Sequence, residues 1–375
     1  MKVWFNEEEY PGLEFFRKTD LVHQFEFLQP VFGFIDFWFS DIKIWQTKTS
    51  GSTGNPKLIE ISKHQMEASA KASLHFFLLE KESDGLVLCL SATHVGGFMV
   101  LVRAIIGDLD LWILEPSIRP FPAHFSIIKK KNWFVSLVPM QIDCLTEDNG
   151  NSSSFLKGIL LGGATISEAH KSSMNHLQCP VYQSYGMTET VSHVAIRKIY
   201  EPNKIIDIEN EPYLVLPEIE IGQNDSNCLK VRGRVTNQTW IQTNDIVKMN
   251  EDKSFFFLGR ADDIINSGGL KVNPVDLKTA LEDIIDKELE FLILGIPNQK
   301  LGEKVVLVFL ANQNPIFFTY EYWKEIFGQV AKLLDPRTLP KGVFALKHIP
   351  KTHTMKYDLP SLRSILENSK PIWEK

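Results

Sequence analysis

Between Leu86 and Tyr185 the sequence switches repeatedly between short β-type runs and helix-like stretches. This alternation predicts strands that are joined by helical crossovers and therefore pair in parallel, in one sheet with helices on both faces. Because ligands of such sheets bind at the carboxyl ends of the strands, the loops after these runs are the first candidates for a site. The runs are LVLCLS, LWIL, WFVSLV, GILLGG and VYQSYG.

The pattern changes after the fifth run. From Tyr213 to Leu258, closely spaced β-type runs separated by turn residues predict a small antiparallel subdomain. Beyond the loop 259–274, the sequence predicts a helix over 275–285, two strands (LEFLILG and KVVLVFLA) and a helix over 319–334. The last helix has an apolar face, which favours core packing over a groove for a partner. That face carries Tyr320, Trp323, Phe327, Val330 and Leu334.

Together these patterns predict an α/β protein with two domains. The first, residues 1–261, is expected to be a large N-terminal α/β domain with a mainly parallel sheet and the small antiparallel β subdomain. The second, residues 262–375, is expected to be a small α+β C-terminal domain.

The composition excludes several classes of protein. With 40 basic and 46 acidic side chains the net charge is −6, so there is no overall basic field for nucleic acid or an anionic membrane. The four cysteines form no CxxC pair, which indicates reduced structural thiols. The first residues, MKVWFNEEEYPG, lack the apolar segment of a secretory signal, and no apolar run is long enough to cross a bilayer. We therefore expect a soluble, cytoplasmic protein with small-molecule ligands.

The segment 49–57, TSGSTGNPK, lies between two strand-like runs and has the composition of a polyphosphate-binding loop. Its glycines allow close backbone approach, and its hydroxyls, backbone N–H groups and lysine can all contact phosphate oxygens. It is not a Walker A loop, because that motif needs Gly, Lys and Ser or Thr where Pro56, Lys57 and Leu58 stand. The loop residues are Thr49, Ser50, Gly51, Ser52, Thr53, Gly54 and Lys57.

Five further motifs follow this loop in a fixed order. With them the sequence resembles the adenylate-forming superfamily, which contains acyl-CoA synthetases, carrier-protein adenylation domains and luciferases. The resemblance implies that the protein joins a carboxylate to the α-phosphate of ATP, releases pyrophosphate, and passes the acyl group to a thiol. The motifs are YGMTE (185–189), TND (243–245), GRADD (259–263), SGGLKV (267–272) and PKTHTMK (350–356).

The resemblance also implies roles for individual residues around ATP. The segment 49–57 is expected to hold the β- and γ-phosphates, and Glu189 with Thr188 to hold Mg²⁺, a hard cation that prefers oxygen ligands. Asp245 is expected to bind the ribose hydroxyls, with Arg260 as a second contact. The implied adenine site consists of Tyr185, Gly186 and the turn Gly162, Gly163 and Ala164.

The resemblance also implies roles for positions that serve one half-reaction or the change from one to the other. Lys356 matches a lysine that neutralises charge during adenylation, although Met355 replaces the usual glycine beside it. Asp262 matches a hinge about which the C-terminal domain would move, and Gly268 with Gly269 would line a channel for the thiol of CoA. Asn244 replaces the usual glycine of the TND motif, a departure that we expect to be mild because asparagine tolerates left-handed backbone.

The acid is suggested by a finer resemblance. Only 48 residues precede the phosphate loop, and the segments 160–164, 183–195 and 257–274 are most similar to the o-succinylbenzoate-CoA ligase group, in its short form. This acid has a second carboxylate that needs a cation or strong donors. The candidates are His94, Arg103, Ser192 and His193, with Arg197 as a further cation. His94 could instead be a core histidine, and Arg103 or Arg197 a surface ion pair.

The sequence therefore predicts ATP-dependent, Mg²⁺-dependent ligation of o-succinylbenzoate to CoA for menaquinone biosynthesis. Two alternatives stay open: the same reaction on another aryl or fatty acid, and a nucleotide-binding protein without turnover. The acceptor, free CoA or a carrier-bound thiol, and the oligomeric state, including a homo-oligomer, also stay open.

Overall fold

A computed structural model of the chain describes residues 1–48, 57–121, 132–145, 153–163, 166, 168–204, 206–282, 284–285, 289–311, 315–351 and 357–375. Its helices are α1 (Leu13–Arg17), α2 (Gln29–Phe39), α3 (Lys63–Phe76), α4 (Val95–Gly107), α5 (Glu168–Met174), α6 (Pro274–Glu282), α7 (Tyr320–Val330) and α8 (Leu359–Glu367).

The strands are β1 (Val3–Phe5), β2 (Glu8–Tyr10), β3 (Ile44–Lys48), β4 (Leu58–Ser62), β5 (Asp84–Leu88), β6 (Asp110–Ile113), β7 (Asn132–Leu137), β8 (Leu156–Leu161), β9 (Val181–Met187), β10 (Ser192–Tyr200), β11 (Leu214–Val215), β12 (Ile219–Gln223), β13 (Cys228–Gly233), β14 (Ile241–Met249), β15 (Phe255–Arg260), β16 (Ile265–Ser267), β17 (Leu270–Val272), β18 (Phe291–Asn298), β19 (Gly302–Leu310), β20 (Gly342–Leu346) and β21 (Trp373–Glu374).

The largest sheet has nine strands in the order β11-β10-β9-β8-β7-β5-β6-β1-β2. Strands β5 to β9 pair in parallel, β1 joins them in parallel with β6, and β10 runs antiparallel to β9. Every residue of β5 is buried, as expected for a strand with both faces covered. The predicted α/β class and mainly parallel sheet are confirmed, and the five runs of the sequence pattern are β5 to β9.

The predicted antiparallel subdomain is a four-stranded sheet in the order β12-β13-β14-β15. Strands β12 and β13 pair antiparallel, with Ile221 opposite Val231. A separate antiparallel pair, β3 and β4, stands on either side of the phosphate-loop segment.

The chain divides into two compact units. The first contains Met1–Asn224, Leu229–Thr243 and Met249–Phe256, and the second contains Asp225–Cys228, Asn244–Lys248 and Phe257–Lys375. The boundary after residue 261 and the mobility of the C-terminal domain stay predictions.

The second unit contains a sheet in the order β17-β16-β19-β20-β21, with β18 paired to β19. The apolar face of α7 packs into its core through Trp323, Phe327 and Val330. One expectation for that helix was wrong, because Tyr320 is half exposed at the first turn. Ile326, which the predicted face did not include, is also buried. No helix in the described ranges is both long and apolar enough to span a bilayer.

Candidate active site

The carboxyl end of β9 carries the first group of predicted site residues. Strand β9 ends at Met187, and a single 3₁₀ turn, Thr188–Thr190, leads into β10. The side chains of Thr188 and Glu189 are partly exposed on this turn, whereas Thr190 is buried. The parallel sheet therefore places two oxygen-bearing side chains at the strand end where such folds bind ligands.

Gly186 is required by the close pairing of β9 and β10. It lies opposite His193, and a Cβ atom at this position would stand 2.1 Å from the carbonyl oxygen of Ser192 and 2.6 Å from the Cα of His193. Because these are backbone atoms, no side-chain rotation would relieve the clash. Gly186 therefore lets β9 and β10 approach closely next to the turn that carries Glu189.

Tyr185 is packed against two aromatic residues. Its ring makes edge-to-face contacts with Tyr213, at 5.7 Å between centroids, and with Phe255, at 5.1 Å. Tyr213 and Phe255 are stacked on each other at 5.4 Å. This packing fixes the plane of the Tyr185 ring, which is the property needed of a surface for adenine.

A buried polar cluster lies behind this turn, between α3, α4 and β10. Arg103 donates from Nε to Ser73 Oγ at 3.3 Å, and from Nη2 to Ser192 Oγ at 3.3 Å and to His193 Nδ1 at 3.4 Å. Ser73 Oγ lies 2.6 Å from His193 Nε2. The structure thus brings together three of the five candidate acid-site residues and adds Ser73.

These contacts define the protonation of His193. Its Nδ1 accepts from Arg103, so the proton of a neutral ring lies on Nε2 and points at Ser73. Burial and the positive charge of Arg103 both hold the pKa of His193 well below its usual range. His193 is therefore a neutral hydrogen-bonding residue here.

Arg103 is a buried cation. It is 5% exposed, and burial lowers its pKa to about 10, still well above neutrality. No carboxylate within the described ranges forms an ion pair with it, and its Nη1 makes no hydrogen bond to a residue in those ranges. The surface ion-pair alternative was wrong for Arg103, and the guanidinium can pair with a ligand anion.

The other two predicted acid-site side chains lie apart from this cluster. His94 is exposed at the N-terminus of α4, roughly 13 Å along the helix from Arg103, so the core-histidine alternative was wrong. Arg197 donates to Gln183 Oε1 at 2.8 Å and to the carbonyl oxygen of Ile208 at 3.2 Å, and lies over the ring of Tyr213. Arg197 is thus occupied as a structural residue rather than in an ion pair.

In the second unit, Asp245, Arg260 and Asp262 form a charged group. Arg260 Nε lies 3.8 Å from Asp245 Oδ1, and Arg260 Nη2 lies 3.4 Å from Asp262 Oδ2. Asp245 is buried, whereas Asp262 is exposed. The predicted ribose contacts and the predicted hinge residue are therefore neighbours.

Asn244 takes part in this group for a reason that the sequence did not suggest. It lies inside β14 without the left-handed backbone that was expected to favour asparagine. Its Nδ2 donates instead to both carboxylate oxygens of Asp262, at 3.1 and 2.9 Å. The residue that replaces the usual glycine thus fixes the Asp262 side chain.

The remaining described positions lie in turns. Gly268 and Gly269 connect β16 to β17 with φ of 59° and 82°, a left-handed pair that favours glycine. Gly162 and Gly163 follow the end of β8. Lys57 stands exposed just before β4. The other predicted residues, 49–54, Ala164 and Lys356, lie outside the described residues.

Sequence reasoning missed Ser73, which contacts both Arg103 and His193. Its position on a helix with no motif gave no local signal. The one available sign was the small-residue stripe Ser69, Ala70 and Ser73, which allows α3 to lie close to a neighbouring strand.

Comparison with known proteins adds to this geometry. The family model "AMP-binding enzyme" matches residues 48–217. A crystal structure of an acyl-CoA synthetase (AMP-forming)/AMP-acid ligase II-like protein from Dyadobacter fermentans is 31% identical, with 91% of this chain and 94% of that chain covered and a TM-score of 0.58. The chain belongs to the AMP-binding enzyme family.

Two further proteins are similar over most of this chain. A 2-succinylbenzoate-CoA ligase from Bacillus cytotoxicus is 28% identical over 345 residues, which cover 85% of this chain and 69% of that protein. The o-succinylbenzoate coenzyme A synthetase of Bacillus subtilis, in complex with ATP and magnesium ion, is 20% identical with a TM-score of 0.65, covering 86% of this chain and 69% of that chain.

Proposed function

We propose that the protein is an AMP-forming acid-CoA ligase that acts on o-succinylbenzoate. A carboxylate oxygen of the acid attacks the α-phosphorus of ATP, which gives the acyl-adenylate and releases pyrophosphate. The thiol of CoA then attacks the acyl carbon, loses its proton, and displaces AMP. The product, o-succinylbenzoyl-CoA, belongs to menaquinone biosynthesis.

The buried guanidinium of Arg103 is the observation that favours an acid with two carboxylates. One carboxylate of o-succinylbenzoate is activated and the other stays charged, so a buried site must supply a counter-charge. Arg103 has two unused N–H groups on Nη1 and lies beside Ser192, a geometry suited to a carboxylate. A monocarboxylic acid would leave the buried cation without a partner, which is costly.

The similar proteins support the same choice. The B. cytotoxicus relative is named a 2-succinylbenzoate-CoA ligase, and its similarity extends over 85% of this chain. The B. subtilis synthetase was solved with ATP and magnesium ion, the nucleotide and metal that we assign to this chain together with CoA as acceptor.

The donor atoms at the end of β9 fit magnesium. Within the described ranges, no cluster of three or more metal-binding side chains occurs, so protein ligands alone would not enclose an ion. Mg²⁺ typically takes one or two carboxylates plus substrate phosphates, and Glu189 with Thr188 offers one carboxylate and one hydroxyl. When bound, the ion neutralises phosphate charge and orients ATP.

We assign the remaining roles by the motifs that these residues match. The segment 49–57 binds the β- and γ-phosphates, and the packed ring of Tyr185 lies against adenine. Asp245 accepts hydrogen bonds from the ribose, with Arg260 beside it. Asp262 is the hinge that lets Lys356 serve adenylation and Gly268–Gly269 admit the thiol in turn.

The test is to measure AMP and thioester formation with ATP, Mg²⁺ and CoA. We expect kcat/KM for o-succinylbenzoate to exceed that for benzoate, phenylacetate and a fatty-acid series by about 10²-fold or more. Arg103→Met should remove most of this preference, while turnover of phenylacetate persists and shows that the variant is folded. Arg234→Met is the control, because that guanidinium is exposed and pairs with Glu218 at 3.6 Å.

Turnover with another acid only would retain the ligase and exclude o-succinylbenzoate. ATP binding without AMP formation from any acid would favour the nucleotide-binding protein without turnover. An unchanged preference in Arg103→Met would remove Arg103 from the acid site.

A further inference from the structure

The residues that connect the Glu189 turn to the Arg103 cluster have a strained backbone. Val191 and Ser192 follow each other with φ of 54° and 83°. A left-handed conformation is uncommon for any residue except glycine, and for a β-branched residue such as valine it is a true outlier. Strained residues of this kind persist only where surrounding contacts determine them, and they concentrate at functional sites.

Two hydroxyl groups hold this Val191–Ser192 turn. Thr190 Oγ1 accepts from the backbone N–H of Met187 at 3.1 Å and can donate to the carbonyl oxygens of Met187, at 3.1 Å, or Ser192, at 3.0 Å. Ser69 Oγ, on α3, donates to the carbonyl oxygen of Val191 at 2.8 Å. Both hydroxyl-bearing residues are buried, so water cannot replace these bonds.

Packing offsets the strain of the turn. The Val191 side chain is fully buried and belongs to the hydrophobic core of the first unit. An asparagine or glycine would suit the backbone better but would leave that space empty or place a polar group in it. Valine at this position therefore fixes the turn to the core.

Each end of the turn is joined to a different part of the proposed site. On one side stand Thr188 and Glu189, which we assign to MgATP. On the other, Ser192 Oγ accepts from Arg103, and His193 completes the acid cluster. A change in the turn would therefore alter both subsites together.

We propose that Thr190 and Ser69 are positioning residues that hold the MgATP-binding and acid-binding subsites in one fixed arrangement through the Val191–Ser192 turn. Neither residue contacts a reacting atom. This inference rests on the proposed function for the identity of the acid. The expected effect of Thr190 and Ser69 on MgATP binding does not depend on which acid is used.

The first unit contains a second turn that serves as a matched reference. Thr236 Oγ1 accepts from the Gly233 N–H at 3.1 Å and lies 3.1 Å from the Gly233 carbonyl oxygen and 2.7 Å from that of Thr239. Asn237 and Gln238 follow with φ of 50° and 60°. None of these residues has an assigned role in the site, so this Asn237–Gln238 turn reproduces the geometry without the proposed function.

The experiment compares Thr190→Val, Thr190→Ser and Thr236→Val in the full chain. Calorimetry without any acid gives the Kd of MgATP, steady-state assays give the KM of o-succinylbenzoate, and urea unfolding gives stability. We expect Thr190→Val to raise both constants about tenfold, because buried polar groups lose their partners. Thr190→Ser retains the hydroxyl and should behave like the wild type.

The control separates positioning from folding. Thr236→Val should lower stability to a similar extent and leave both constants unchanged. Ser69→Ala, a second variant that removes only the bond to Val191, should raise both constants in the same direction as Thr190→Val. Thr190→Val with unchanged constants, or Thr236→Val with the same rise, would overturn the proposal.

The two proposals fail in different ways. If the wild type binds MgATP but does not turn over o-succinylbenzoate, the acid is wrong, and the Kd of MgATP in Thr190→Val still decides the role of the turn. If the wild type does not bind MgATP, both proposals are wrong.

Discussion

The Val191–Ser192 turn and the Asn237–Gln238 turn share one backbone design but differ in sequence. In each, a 3₁₀ turn ends in a buried threonine, and two left-handed residues follow. The threonine hydroxyl accepts a hydrogen bond from the backbone N–H of the residue that precedes the 3₁₀ turn. Helix α3 binds both, through Ser69 to the Val191 carbonyl and through Gln65 to the Val235 carbonyl at 2.8 Å. Helix α3 thus contacts both turns, at the first left-handed residue of one and at the middle residue of the 3₁₀ turn in the other.

The side chains at the left-handed positions distinguish the two turns. Asn237 and Gln238 are exposed, and asparagine is a residue that adopts this conformation at low cost. Val191 is buried, and the left-handed conformation is less favourable for this β-branched residue than for Asn237. A turn next to a proposed site can therefore retain an unfavourable residue where its side chain fixes the turn to the core.

The largest expected difference concerns the middle residue of each 3₁₀ turn, Glu189 in one and Val235 in the other. Glu189→Gln should slow pyrophosphate release by about 10²-fold or more, because an assigned carboxylate ligand of Mg²⁺ is lost, with little change in stability. Val235→Ala should do the reverse and lower stability by about 2 kcal/mol, because two buried methyl groups are removed. Pyrophosphate assays and urea unfolding of both variants measure this.

A loss of stability in Glu189→Gln equal to that in Val235→Ala would show that Glu189 is a structural residue. The contrast between the two turns would then disappear.

A smaller effect is expected from exchanging the side-chain type at the reference turn. Asn237→Val should lower the free energy of unfolding by about 1–2 kcal/mol, because a β-branched residue is forced into left-handed backbone without new burial. Asn237→Gly, which accepts this conformation, is the matched control and should cost much less. The measurement is equilibrium unfolding in urea.

Equal stability of Asn237→Val and Asn237→Gly would contradict the strain argument for Val191, since Val191 and Asn237 have similar φ, 54° and 50°.

The smallest effect depends on pH and involves only the turn next to the acid cluster. His193 stays neutral in the folded state because burial and Arg103 lower its pKa, whereas in the unfolded chain it binds a proton below its ordinary pKa of about 6.5. Lowering the pH below 6.5 therefore favours the unfolded state, by at most about 1.4 kcal/mol per pH unit, until the folded-state pKa is reached. His193→Gln should flatten this part of the curve, and urea unfolding between pH 5 and 7 measures it.

The other turn has no histidine within it, so Thr236→Val should retain the full pH dependence of the wild type. An identical slope in His193→Gln and the wild type would show that His193 is protonated in the folded protein.

The sequence predicted the parallel part of the fold because short β-type runs alternate with helix-like stretches between Leu86 and Tyr185, a pattern with few alternatives. It did not predict β1, because three residues, Val3–Phe5, are too few to give a period, and their pairing with β6 is a long-range contact. The exposure of Tyr320 at the first turn of α7 likewise reflects tertiary contacts that helical spacing alone does not contain.

The candidate site was predicted where residues lie in or beside a motif and missed where the fold brings in residues that no motif contains. Arg103, Ser192 and His193 were named from neighbouring motifs, but Ser73 and Ser69 come from another helix and carry no motif. The role of Asn244 was also missed, because its partner Asp262 is 18 residues away and the bond depends on side-chain direction. The left-handed backbone of Val191 has no sequence signal at all, since valine is the residue least expected there.

The pairing of β1 with β6 has a consequence during synthesis. Val3 pairs with Leu111, which is 108 residues later in the chain (111 − 3). At about 5–20 residues per second, the ribosome needs roughly 5–20 s to add that length. For this interval β1 has only the short strand β2 to pair with, so Val3 and Phe5, which the finished sheet buries almost completely, stay accessible to chaperones until β6 emerges.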